Sequence, residues 1–261
     1  MRKFILAVVM AFCAARAHAE TMIVAMPANM SSSVQEEASA FMGRVYQDLK
    51  PNDVLIVFDA SRERPVATLR MPDHIGTGRR DRIRALGPAA GQIMDFITGT
   101  APDAKPDNLN IPATLREIGA TIMPEVKEAK ILLIGSLFYD DPRNANFTTK
   151  EFLPSDGFLT QNVRGGFSVI GQEALLKGAL VSICYTDPGS AFQTEAFRQS
   201  TVEFWGKSIV GRGGKVGSIQ EYSRACAARL RSDVVDPAEY KIDYTAKLFL
   251  MKQHWVKVDV R

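Results

Sequence analysis

The stretch LKPNDVLIVFDASRERPVATLRMP, residues 49–72, decides how this chain folds. Pro51-Asn52-Asp53 is a turn signal, and it leads into the unbroken apolar run 54–58. Runs of that kind belong to strands covered on both faces of a sheet. The polar turn 61–64 follows, after which residues 65–70 alternate between apolar and polar. A buried strand with an adjoining hairpin partner is therefore expected.

Toward the N-terminus, residues 22–25 form a short apolar strand candidate. Ser33-Val34-Gln35-Glu36 has the pattern of a capping box, which predicts a helix start. Behind it Val34, Ala38, Phe41, Val45 and Leu49 lie on one helical stripe. Toward the C-terminus, a basic loop at 76–82 precedes a predicted helix at 88–98 and a polar connection at 103–108. Asn110 and Pro112 open another helix, with Ile111, Leu115, Ile118 and Ile122 on a common face and Pro124 as its limit. Residues 131–134 and 179–184 read as buried strands, 192–210 as a long helix and 215–219 as a last core strand. Between them, residues 147–170, with Asp156-Gly157 and Gly165-Gly166 turns, read as a long excursion of hairpin character. This alternation predicts an α/β fold with a mostly parallel central sheet flanked by helices. From residue 222 the pattern changes. Ile242, Tyr244, Ala246, Leu248 and Leu250 alternate strictly, as do Val256, Val258 and Val260. A C-terminal β-hairpin extension over 222–261, turning near Gln253-His254, is expected; it covers a sheet edge or meets another chain.

The first nineteen residues read as an export signal. Arg2 and Lys3 precede the apolar stretch 4–13, and Ala17-His18-Ala19 is a small-x-small cleavage site. These residues hold three bases (Arg2, Lys3, Arg16) and no acid. The whole chain has 32 basic and 29 acidic residues, so the remainder, 20–261, is left with 29 of each. A neutral mature chain gives no warrant for nucleic acid or an anionic membrane as partner. No later apolar run is long enough to span a bilayer. Two cysteines remain after cleavage, Cys184 and Cys226. In an oxidising compartment they are expected as a disulfide, with two buried free thiols as the alternative.

The order of elements over residues 21–220 resembles a von Willebrand factor type A domain. The resemblance rests on the segment 49–72, on NIPATLREIGATI with AKILLIGS (residues 110–122 and 129–136), and on FQTEAFRQSTVEFWGKSIVGRGGKVGSI (residues 192–219). It implies a single domain over 20–221 that binds a protein partner at the carboxyl end of its sheet. It also implies a divalent-cation site made by Asp-x-Ser-x-Ser after the first strand, a threonine on a later loop and an aspartate after the fourth strand.

Here the expected carboxylates are absent. Aligned on Asp53, the first aspartate position falls on Met26, the threonine near Leu109 or Asn110, and the last aspartate on Ser136, with Asp140 and Asp141 a few residues beyond. A slip of three residues reads Asn29-Met30-Ser31-Ser32-Ser33 instead, which makes Asn29, Ser31, Ser33 and Asp140 weak metal candidates. Hard cations such as Mg²⁺ favour anionic oxygen, so the expectation is no bound cofactor, and the serines are read as helix-capping residues. The partner-binding face is expected to include Met26, Asn29, Ser31, Asn110, Ser136, Asp140 and Asp141, within the stretches 26–33, 107–110 and 136–143.

A rival reading begins at Asp59, at the tip of a buried strand, as the nucleophile of an aspartate-based phosphohydrolase. Against it, a second acid two residues on is replaced by Ser61, and the chain returns at once as a strand. His74 and His254 are far apart, which disfavours a zinc site. Gly211-Arg212-Gly213-Gly214 lacks the Lys-Ser/Thr of a phosphate loop. The arginines at 79, 80 and 82 read as a solvated loop, and Trp205 as core. The expected function is an exported, non-enzymatic interaction module of a cell-envelope assembly. The alternatives are a hydrolase acting through Asp59 or Asp140-Asp141, and a structural subunit that assembles through its terminal strands.

Overall fold

The structure, a computed structural model, describes residues 19–73, 79–99, 107–139, 154–160, 166–187, 189–192, 194–223 and 225–246. The strands β1 (Thr21–Met26), β2 (Val54–Asp59), β3 (Arg64–Arg70), β4 (Ala129–Gly135), β5 (Ala179–Tyr185) and β6 (Lys215–Glu221) form one sheet. Their order is β3-β2-β1-β4-β5-β6. All neighbours are parallel except β2 and β3, the antiparallel hairpin expected from residues 49–72.

Helices cover both faces. On one, α1 (Ser32–Asp48) and α2 (Arg79–Thr98) bury Val34, Ala38, Phe41, Val45, Leu86, Ile93 and Ile97 against Met22, Val24, Leu55 and Val57. On the other, α3 (Ile111–Thr121), the short α4 (Asp156–Thr160) and α5 (Glu195–Gly211) pack on Ile23, Ile56, Ile131 and Val181. The strands β1, β2 and β4 feed both cores with alternate side chains, which is why they read as continuous apolar runs.

Three local expectations change. The capping box at Ser33 misplaces the start of α1: the N-cap is Ser31, in extended backbone, and its side chain makes no cap bond. The Asp107 carboxylate accepts the Ser31 N–H at 3.0 Å, which fixes the entry to α1 two residues ahead of the expected box. The second change concerns α2, which begins at Arg79 and carries Pro88 inside it. Burial of Leu86 on the stripe of Ile93 and Ile97 carries the helix through Pro88, the expected start. Arg82 thereby leaves the expected solvated loop and donates to the Gln47 and Leu49 carbonyls at 2.9 and 3.0 Å, capping the end of α1. Third, Asp156-Gly157 opens α4 rather than a hairpin turn. Phe158, Leu159, Phe167 and Val169 are buried, and the Val169 N–H meets the Leu159 carbonyl at 2.9 Å.

Cys184, near the end of β5, is disulfide-bonded to Cys226 at the start of the short helix α6 (Cys226–Arg229). The bond ties α6, the last helix among the described residues, to the core beneath α1 and α2. From there residues 231–246 run without strand structure. The expected alternation at Ile242, Tyr244 and Ala246 forms an irregular strap. Tyr240 packs where a Cβ on Gly206 of α5 would stand, and Ile242 lies 2.8 Å from the corresponding position on Gly211. Both side chains join the α5 core, whereas Tyr244 is exposed. These two glycines give the strap a groove that no periodicity in the strap itself reports. The remaining positions of the expected hairpin, 247–261, lie outside the described residues. Among the described residues no helix is long and apolar enough to cross a membrane.

Candidate functional site

In an open α/β sheet, ligands bind beyond the carboxyl ends of the strands, where the strand order reverses. Here that point lies between β1 and β4, and five loops meet there: 27–31, 60–63, 107–110, 136–139 and 186–187.

A set of bonds centred on two aspartates binds these loops together. Asp107 has a left-handed backbone, as does Asn110 three residues later. Its carboxylate accepts from Ser31 N, its N–H donates to the Asn29 carbonyl at 2.8 Å, and its own carbonyl accepts from Ser136 N at 2.6 Å. One residue thus joins the loops after β1 and β4. Gly135 permits this closeness, because a Cβ there would sit 2.6 Å from Leu109 Cγ and 2.7 Å from the Asp107 carbonyl oxygen.

Asp187, two residues beyond β5, is the second centre. Ser136 Oγ donates to Asp187 Oδ1 at 2.6 Å and Leu137 N donates to Oδ2 at 2.6 Å. Ser136 Oγ also accepts from Phe138 N at 3.0 Å. Burial pushes the Asp187 carboxyl above its ordinary value; the hydrogen bonds from Ser136 and Leu137 oppose this, and the nearby Asp107 charge adds to it. Trp205 Nε1 on α5 closes the arrangement by donating to the Leu137 carbonyl at 2.9 Å, so this buried ring is core with its polar atom satisfied.

Met26, last in β1, has no exposed surface; it points into the α1 and α2 core, and only its carbonyl reaches the loops, accepting from Ala60 N. Asn29, Ser31, Asn110 and Ser136 are half-buried and share the face. Asn110 stands at the N-cap position of α3 without a side-chain cap bond and donates its amide to Glu63 Oε1 at 2.9 Å, so the turn after β2 is linked to the start of α3. Thr114, fully buried, is the hydroxyl nearest the expected threonine position. It donates to the Leu109 carbonyl at 2.8 Å and lies 3.3 Å from that of Ala60. The Ser33 side chain, Asp140 and Asp141 lie outside what the structure describes. Among the described residues no three His, Cys, Asp or Glu side chains gather as a metal site.

Asp59 is buried at the tip of β2. Its Oδ1 accepts from Ser61 N and Arg62 N at 2.9 and 3.1 Å, and its Oδ2 faces the Arg62 guanidinium at 3.6 Å. A carboxylate held in this way closes the β2–β3 turn. Sequence reasoning missed Asp187 altogether. The available signal was the Tyr185-Thr186-Asp187-Pro188 segment, an acid and a proline just after a buried strand.

No family model matches the chain, and no curated protein matches it.

Proposed function

We propose that this chain is an exported, non-enzymatic interaction module of the von Willebrand factor type A kind, which binds a protein partner with the face at the carboxyl ends of β1 and β4. One observation carries the reading. The loops that would hold a cation in that family are here joined by Asp107 and Asp187 to Ser31, Ser136 and backbone N–H groups. Two carboxylates already engaged by fixed donors form a rigid polar platform, which lowers the ordering cost of binding. The 3-2-1-4-5-6 order with an antiparallel β3 at the edge is compatible with this. The disulfide and the signal-like first nineteen residues favour the periplasm or the cell exterior. By class alone, a secretion or conjugation assembly is the setting. The Asp59 hydrolase reading is weaker, because its carboxylate is committed to a turn.

The test is capture of envelope proteins on the immobilised chain, 20–261, in chelator and then with Mg²⁺. A partner retained in chelator and lost on Asn29→Arg with Asn110→Arg is expected. Capture indifferent to both substitutions would overturn the face, and capture that depends on Mg²⁺ would overturn the cation-free mode.

A further inference from the structure

The opposite end of the sheet holds a second polar cluster, centred on Asp53 and Glu20. Asp53 precedes β2, is 1% exposed, and has three donors on its carboxylate. Glu20 N lies 3.1 Å from Oδ1, Lys50 N is 2.8 Å from Oδ2, and Arg231 Nη1 is 2.9 Å from the same oxygen. The Glu20 side chain is held in turn: Oε2 meets Arg231 at 3.0 Å, and Oε1 meets Lys130 of β4 at 3.3 Å. Lys130 also pairs with Asp233 at 2.8 Å. The Glu20 carbonyl accepts from Val54 N at 2.9 Å, which starts the β1–β2 ladder. Residue 20 is therefore fixed through its nitrogen, its carbonyl and its side chain, although it lies one residue before the first strand. By contrast, Ala19 is exposed.

A backbone amide needs no such treatment at the edge of a domain. The arrangement has a stronger meaning if the nitrogen carries a charge. The small-x-small pattern Ala17-His18-Ala19 places the scissile bond between Ala19 and Glu20. Hydrolysis of that amide releases a carboxylate on Ala19 and an α-ammonium on Glu20, and water supplies the atoms. The neutral N–H donor opposite Asp53 becomes a cation in the same place. Hydrogen bonds between charged partners are about twice as strong as neutral ones. Glu20 also lines a cavity of about 430 Å³, with Lys50, Glu128, Lys130, Lys215 and Asp233 among the other lining residues.

We propose that the mature N-terminus is itself a structural group: the α-ammonium of Glu20 forms an ion pair with the buried carboxylate of Asp53, so that removal of the signal stabilises the fold the uncleaved chain would have. The pair joins β1 to β2 and, through Arg231, fastens the C-terminal strap to both. Before cleavage Asp53 has one full cation, Arg231, and afterwards two. The groups facing the ammonium are Asp53, the Glu20 carboxylate, Lys50, Lys130, Arg231 and Asp233. This inference rests on cleavage after Ala19.

The experiment has two arms. N-terminal sequencing of the exported protein tests the premise: Glu20 in first place supports it, and another first residue removes the proposal as it applies in the cell. The ion pair is tested separately on a chain released from a fusion with Glu20 first. Its α-amine, followed by NMR, is expected to titrate well above the ordinary value of about 8. N-acetylation should lower the folding constant about tenfold at neutral pH, and less than about twofold when Asp53→Asn is already present. An α-amine titrating at the ordinary value overturns the pair, as does an equal effect of acetylation in both backgrounds. The titration needs only the unsubstituted chain, so it stands even where Asp53→Asn does not fold.

Discussion

Ser136 and Asp187 follow different strands, β4 and β5, and their side chains meet at 2.6 Å beneath the switch-point loops. The same carboxylate holds Leu137 N, so the loop after β4 is shaped by a residue fifty positions further along the chain. Asp187→Ala should therefore leave a buried N–H and a hydroxyl without this acceptor. The expected loss of stability is about 2–3 kcal/mol in denaturant titration. Asp187→Asn keeps an acceptor and should cost less. A cost within about 0.5 kcal/mol for the alanine variant, the range of ordinary surface changes, would show that the clasp is not structural.

The pH dependence follows from the same group. Burial raises the folded-state pKa of Asp187 above the ordinary 3.8. A raised acid contributes stability that is fully present below its unfolded value and is lost as pH rises through the folded one. Relative to Asp187→Asn, the wild type should gain stability on acidification through that window, with a slope of at most about 1.4 kcal/mol per pH unit. Parallel curves for the two proteins from pH 3 to pH 7, by repeated denaturant melts, would contradict this.

The Cys184–Cys226 bond closes a separation of 42 residues that contains all of α5 and β6. In the chain-entropy model it contributes about 4 kcal/mol. Reduction, or Cys184→Ser with Cys226→Ser, should lower the free energy of unfolding by that amount in denaturant titration while leaving the far-ultraviolet spectrum of the folded state intact.

The strap depends on Gly206. A methyl group there meets the Tyr240 ring, and overpacking of this sort costs about 1–3 kcal/mol. Gly206→Ala should release residues 232–246 to limited proteolysis while the sheet stays folded. If the strap remains protected, the ring has another place to pack.

The sequence by itself determined the sheet and most of its helices, because their signals are local. The run 54–58 between a turn and an alternating strand could pack only as a buried strand with a hairpin partner, and Ile111, Leu115, Ile118 and Ile122 display one helical face without reference to anything else. The disulfide was legible from compartment and count. What tertiary structure decided is everything that depends on one loop answering another. Ser31 rather than Ser33 begins α1 because Asp107, seventy-six residues away, holds its N–H. Arg82 is a helix cap rather than a solvated charge because α2 runs past the end of α1. The alternating residues after Tyr240 lie as a strap because two glycines on α5 offer them a groove. At the switch point, the carboxylates that bind the loops together are Asp107 and Asp187, neither of which lies at the end of β1 or β4. Hydrophobic periodicity records which face of an element is buried; it carries no record of which distant polar group will meet a loop, since that partner is set only when the sheet brings the strand ends together.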